Sequence, residues 1–160
     1  MKLLIPIDGS PASLNALKNA VEIASQYHFS GKIISVADVN NIPGYSRNQK
    51  LWSQVDGSMI AGSSKEIQEN DHIRKMKENT QKTMEDAIAQ TDFKGIVFEK
   101  AVIAGDPAEE ILKIAEKEEY DLIVMGNRGF SKVKRFFVGS VTQKVISEAP
   151  CPVLAIHYEI

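Results

Sequence analysis

Short apolar runs and stretches of helical periodicity alternate along this chain of 160 residues. Leu3-Leu4-Ile5-Pro6-Ile7 is an unbroken apolar run closed by Asp8-Gly9-Ser10-Pro11, which predicts a buried strand and a turn. Ser10 is suited to an N-cap, and Pro11 to the first helical position, where its missing N–H costs nothing. Leu14, Leu17, Val21 and Ala24 recur at helical spacing, so residues 11 to 27 are expected to form an amphipathic helix. After Gly31, the run Lys32 to Asp38 predicts a second strand. From Val39 to Ser63 the pattern fails, broken by Asn40, Asn41, Pro43, Gly44, Gly57 and Gly62. That predicts a long loop, and loops of such length in compact domains are usually functional or mobile.

Periodicity returns at Ser64 and runs to Gln90. Ile67, Ile73, Met76, Thr80, Met84, Ala87 and Ile88 mark one face of a helix there. Gly95 to Ile103 predicts a third strand. Asp106-Pro107-Ala108-Glu109 spells a capping box, with Asp106 as a helix cap and Pro107 at the first helical position. Ala108, Ile111, Leu112 and Ala115 then give that helix its buried face. Tyr120 to Met125 predicts the fourth strand. Val141, Val145 and Ile146 are expected to face inward from a last helix that stops before Pro150, and Pro152 to His157 predicts the fifth strand.

This alternation predicts a single α/β domain over residues 1 to 160, with a five-stranded parallel sheet and helices on both faces. No second domain, repeat or low-complexity segment shows in the chain. In such sheets ligands sit beyond the carboxyl ends of the strands, where the strand order reverses. With the order 3-2-1-4-5, that point falls between strands one and four. Asp8, which follows strand one, and Gly126, which follows strand four, then face each other across one crevice.

Composition narrows the classes. Apolar residues make up 43% and charged residues 25%, an ordinary globular balance. The net charge of −2 supplies no global attraction to nucleic acid or to an anionic membrane. No apolar run approaches a membrane span, and the N-terminal run is too short for a signal peptide. The single cysteine, Cys151, cannot form an internal disulfide, which fits a reducing compartment and a cytoplasmic protein. Its place between two prolines at a strand start favours a buried structural thiol.

The chemistry concentrates after the fourth strand. Residues 126 to 140 carry three glycines, four basic residues and no acid. Glycines permit close backbone approach, and the N–H groups at the start of the following helix attract phosphate. Asp8 opposite could accept from ribose or base donors, so the pair suggests a nucleotide. Ser140 and Thr142 add hydroxyls at the helix start, for a phosphate or a divalent cation. Blander readings stand beside these: a turn aspartate at Asp8, a tight turn at Gly126 and Gly129, and a solvated face at Arg128, Lys132, Lys134 and Arg135. There is no G-x-x-x-x-G-K-[ST] and no G-x-G-x-x-G, so neither a P-loop nor a dinucleotide fingerprint is present. His28, His72 and His157 are not spaced as metal ligands. No base stands near Ser140 in the sequence, which disfavours a phosphotransferase or ATPase.

Taken in order, these residues resemble the universal stress proteins over nearly the whole chain. Ile5-Pro6-Ile7-Asp8-Gly9-Ser10 resembles that family's first strand and turn. Gly105-Asp106-Pro107 and Asp121 to Gly126 resemble its third helix and fourth strand, and Pro152-Val153-Leu154 its closing strand. The spacing Gly126-x2-Gly129-x9-Gly139-Ser140 is similar to that of the ATP-binding branch. The resemblance implies a Rossmann-like fold of the adenine nucleotide alpha hydrolase kind, binding ATP with Mg²⁺ or Mn²⁺ alongside. It implies that Pro6 and Asp8 line the adenine and ribose end, with Val36 meeting the adenine through its backbone. Met125, Gly126, Arg128 and Gly129 would border ribose and phosphates, and Gly139, Ser140 and Val141 would hold the phosphates. It further implies a homodimer through the apolar edge run Val153 to Ile156. The function expected is a nucleotide-dependent switch in stress response. A slow ATPase or phosphotransferase, and an interaction module that binds AMP or no nucleotide, are the alternatives.

Overall fold

The computed structural model describes residues 1–41, 64–128 and 138–157. Five strands form one parallel sheet in the order β3-β2-β1-β4-β5. The strands are β1 (Lys2–Pro6), β2 (Ser30–Asp38), β3 (Glu99–Gly105), β4 (Leu122–Gly126) and β5 (Val153–Ile156). The helices are α1 (Pro11–Tyr27), α2 (Ser64–Ala89), α3 (Pro107–Lys117) and α4 (Ser140–Glu148), with a short 3-10 turn at Val39–Asn41. The expected long loop therefore opens with that turn, and its remainder, residues 42–63, lies outside the described residues.

Side chains along a strand point alternately to the two faces, and the core divides accordingly. Leu3, Ile5 and Ile7 join Ile33 and Val124 beneath α1 and the end of α2, where Met84 and Ala87 are buried. Leu4, Ile34, Ile123 and Met125 face the other way, against Ala108, Ile111 and Ala115 of α3 and Val145 of α4. The α2 face follows the expected spacing: Ile73, Met76 and Thr80 are half-buried, and the side chain of Ile67 lies outside the described ones. Ile146 departs from expectation, being 50% exposed. Thr142, one turn earlier, is buried instead, at 3% exposure.

The third strand is displaced from its apolar run. Lys94 and Gly95 both have left-handed backbone (φ 51° and 79°), and Ile96 N donates to Phe93 O, so the chain is still turning there. Ile96 and Phe98 pack against the core, and Val97 between them is 90% exposed. Pairing with β2 starts at Glu99↔Lys32 and continues to Gly105↔Asp38.

Both predicted N-caps are formed. Ser10 Oγ accepts from Ser13 N at 3.3 Å, and Asp106 Oδ1 accepts from Glu109 N at 3.0 Å. Cys151 is half-buried, and burial pushes its thiol pKa up, in keeping with a structural role.

Candidate functional site

The sheet parts at the switch point for a reason visible in β1. Pairing between β1 and β4 covers only Leu3↔Leu122 and Leu4↔Ile123, while β1 follows β2 as far as Pro6↔Ile34. Neighbouring residues in a strand aim their N–H groups to opposite sides. Ile7 N donates to Ile34 O on β2, so the donor that Pro6 lacks would have faced β4. The ladder ends where that donor is missing, and a crevice opens between β1 and β4.

The crevice holds a cavity of about 360 Å³, a volume in the range of small-molecule sites. Its wall at the β2 side is apolar: Ile34 and Val36 from the strand, Pro107 and Ile111 from α3. Asp38 closes that side. Pro6, Ile7, Asp8 and Ser13 form the middle, and Met125, Gly126, Arg128, Val141 and Thr142 form the β4 and α4 side. Pro6, Asp8, Val36, Met125, Gly126, Arg128 and Val141 are thus brought together as expected. Gly139 and Ser140 stand beside them at the start of α4 and do not line the cavity. Gly129 lies outside the described residues, as do Lys132, Lys134 and Arg135.

Asp8 makes a turn and stands on the cavity wall. Its Oδ1 accepts from Ser10 N at 2.9 Å, which makes the turn, and the exposed carboxylate also lines the cavity. The helix cap is Ser10 rather than Asp8. Ser10 Oγ further donates to Arg128 O at 3.4 Å, joining the β1 turn to the segment after β4.

Gly126 has a packing reason. A Cβ built there would sit 2.8 Å from Ala12 C and Ser13 N, so the end of β4 rests directly on the backbone of α1. Thr142 also has a structural task. Its buried hydroxyl donates to Gly126 O at 2.9 Å, and Gly139 N donates to Asn127 O at 2.8 Å. These two bonds tie the start of α4 to the end of β4. The Thr142 hydroxyl proton is thereby committed to the protein. Gly139 caps α4 without a side-chain hydrogen bond, so the first-turn N–H groups have no side-chain acceptor from their cap. The positive end of the helix axis lies there too. Among the described residues, no three His, Cys, Asp or Glu side chains converge as a metal site.

Ser13, Asp38, Pro107 and Ile111 line the cavity without a sequence signal that marks them as site residues. Ser13 and Ile111 sit on helix faces that periodicity assigns to the core, and the carboxylate of Asp38 reads as a strand terminator. Asp106 is the cap it was expected to be.

A model of the universal stress protein family matches residues 1–157. The chain belongs to this family. A family member from Methanocaldococcus jannaschii, universal stress protein MJ0531, is 34% identical over 155 residues, covering 97% of this chain and 81% of its own length. A second from the same organism, MJ0577, is 31% identical over 157 residues, covering 97% and 93%. The solved structure of MJ0577 superposes with a TM-score of 0.75, covering 99% of this chain and 96% of that one at 27% identity. An Arabidopsis thaliana member of the family, solved with AMP bound, shares the fold at 17% identity and a TM-score of 0.54, covering 99% of this chain and 92% of that one. No helix among the described residues is long and apolar enough to cross a membrane.

Proposed function

We propose that this universal stress protein binds ATP in the crevice between β1 and β4, and that the bound nucleotide acts as a switch. The carrying observation is the gradient of chemistry along the cavity. Ile34, Val36, Pro107 and Ile111 offer an apolar slot of the kind a flat base enters. Asp8, in the middle, offers carboxylate oxygens to ribose hydroxyls. At the far side, Arg128 and the start of α4 offer positive charge and N–H donors to phosphates. Val36 would meet the adenine, and Met125, Gly126, Arg128 and Gly129 would border ribose and phosphates. Gly139, Ser140 and Val141 would hold the phosphate end, with Mg²⁺ or Mn²⁺ carried on the phosphate oxygens. The AMP bound to the Arabidopsis relative lends support to an adenine nucleotide as the ligand class. Among the described residues, the carboxylates of the cavity wall are Asp8 and Asp38, assigned here to the ribose and the base rather than to the phosphate end where a base for turnover would act, so binding with population shift is the function favoured.

A homodimer through β5 completes the proposal. Among the described residues that strand pairs only with β4, and its Leu154 is 37% exposed. Bare apolar edges invite pairing, and a twofold contact of two such edges covers both.

Ser140→Asp tests the phosphate assignment without harming the helix. Ser140 is exposed at the first position of α4, where a carboxylate is favourable to the helix dipole and repels phosphate. Isothermal titration should show ATP affinity falling about tenfold, with AMP affected less. Unchanged ATP affinity, or an equal loss for adenosine, places the phosphates elsewhere.

A further inference from the structure

Asp38 ends β2 and lines the apolar side of the cavity. It is half-buried, and its Oδ1 accepts from Asn40 N at 2.9 Å across the 3-10 turn. Asn40 is itself held, donating from Nδ2 to Asp106 Oδ2 at 2.9 Å at the start of α3. A chain of two hydrogen bonds therefore runs from the end of β2 to the cap of α3, and it fixes the carboxylate at the rim. Oδ2 of Asp38 has no partner among the described residues. The only cationic side chain among the described residues of the cavity wall is Arg128, which follows β4 rather than β2. Among the described residues, this side of the cavity thus presents apolar side chains plus one oriented side-chain acceptor.

We propose that Asp38 is the residue that selects the base, accepting a hydrogen bond from the exocyclic amino group of adenine. This rests on the reading that the base lies at the β2 side. A carboxylate carries acceptors only, so it matches an amino group and offers nothing to a C–H or a carbonyl oxygen at the same position. The bond is charge-assisted, and in an apolar wall its absence leaves the carboxylate desolvated without return. Because Asn40 N occupies Oδ1, a single oxygen remains for the ligand. That suits one amino group better than the paired donors of a guanine edge.

The test compares ATP with purine riboside triphosphate, which lacks only the amino group, by isothermal titration against the full chain. The wild-type chain should bind ATP about tenfold more tightly than the analogue. Asp38→Asn keeps Oδ1 for the Asn40 turn and turns a donor toward the cavity. In that variant the preference should vanish or invert, because an NH₂ group then meets an NH₂ group. Asn40→Ala, which cuts the link to Asp106 and leaves Asp38 and the Asn40 N–H in place, should retain a preference for ATP. An equal loss of both ligands in Asp38→Asn would mean a structural role and would overturn the assignment. So would an unchanged ratio, or tighter binding of GTP than of ATP by the wild-type chain. If the wild-type chain binds none of these nucleotides, the crevice reading itself fails; if ATP binds and only the ratio is insensitive to Asp38, the base-selecting role alone falls.

Discussion

Gly126 shows how one residue can carry two meanings. In sequence it is the first glycine of a pattern expected to cradle phosphate. In the structure its missing side chain is what lets β4 meet the backbone of α1, with Ala12 C and Ser13 N 2.8 Å from where a Cβ would stand. Its backbone is not left-handed; the described glycines with positive φ are Gly9 and Gly95. Gly126→Ala is therefore expected to destabilise the fold by about 1–3 kcal/mol, as overpacking against backbone does. Chemical denaturation of the variant without nucleotide would show it. Wild-type stability would mean that α1 can retreat, and the packing account would be wrong. Any loss of nucleotide affinity in Gly126 variants has to be read against this change in stability. Thr142 makes the same point, since its hydroxyl holds Gly126 O and stays buried.

At the scale of elements, the ends of the sheet opposite the cavity are joined by one ionic cluster. Lys32 of β2 reaches the Glu118 carboxylate after α3 at 2.6 and 2.9 Å, and Glu99 of β3 at 3.4 Å. Tyr120, just before β4, donates to Glu118 Oε2 at 3.0 Å, and Lys2 of β1 donates to Glu118 O at 3.0 Å. The Lys32 hydrogen bond holds the Glu118 pKa below its ordinary 4.5, and Glu118 holds Lys32 above its ordinary 10.5. A lowered carboxylate pKa contributes stability that is present above the unfolded value and lost as pH falls through the folded one. A raised lysine contributes stability that is complete below its unfolded value and lost only as pH rises through the folded one, in the strongly alkaline range. Glu118→Gln should thus cost on the order of 1 kcal/mol at pH 7, and the gap to wild type should narrow as pH falls below the ordinary carboxylate value and through the lowered one. Denaturant midpoints at several pH values check this. A gap that persists undiminished at pH 3 would assign the loss to packing.

For the whole molecule, the open edge of β5 is the feature that bears on assembly. Leu154→Lys places a charge on that edge, which is how natural edges are kept from pairing. On the proposed dimer, size-exclusion chromatography with light scattering should show wild type as a dimer and Leu154→Lys as a monomer, with the fold retained by circular dichroism. A monomeric wild type, or a variant that stays dimeric, removes β5 as the interface.

Much of this architecture was legible in the order of residues. Helix starts are local events: Ser10 with Pro11, and Asp106 with Pro107, specify caps through groups within three residues of each other. Buried strands announce themselves as apolar runs, and the alternation of the two periods implies a parallel sheet whose switch point brings Asp8 toward Gly126. Pro6 even marks where the β1–β4 ladder stops. What was not legible depended on contacts between distant segments. β3 begins at Glu99 rather than Gly95 because Ile96 and Phe98 pack into the core while the chain turns at Lys94 and Gly95. Thr142 replaces Ile146 inside because a carbonyl of β4, sixteen residues away, needs a donor. Asp38 faces the cavity only because α3 docks beside the end of β2, through Asn40 and Asp106. Sequence alone determined the elements, their caps and the edge of the sheet where a ligand would sit, since these follow from short-range periodicity and topology. Only the tertiary structure decided which side chains line that site and which of its glycines and hydroxyls are spent on packing, because those outcomes are set by neighbours that the chain order keeps far apart.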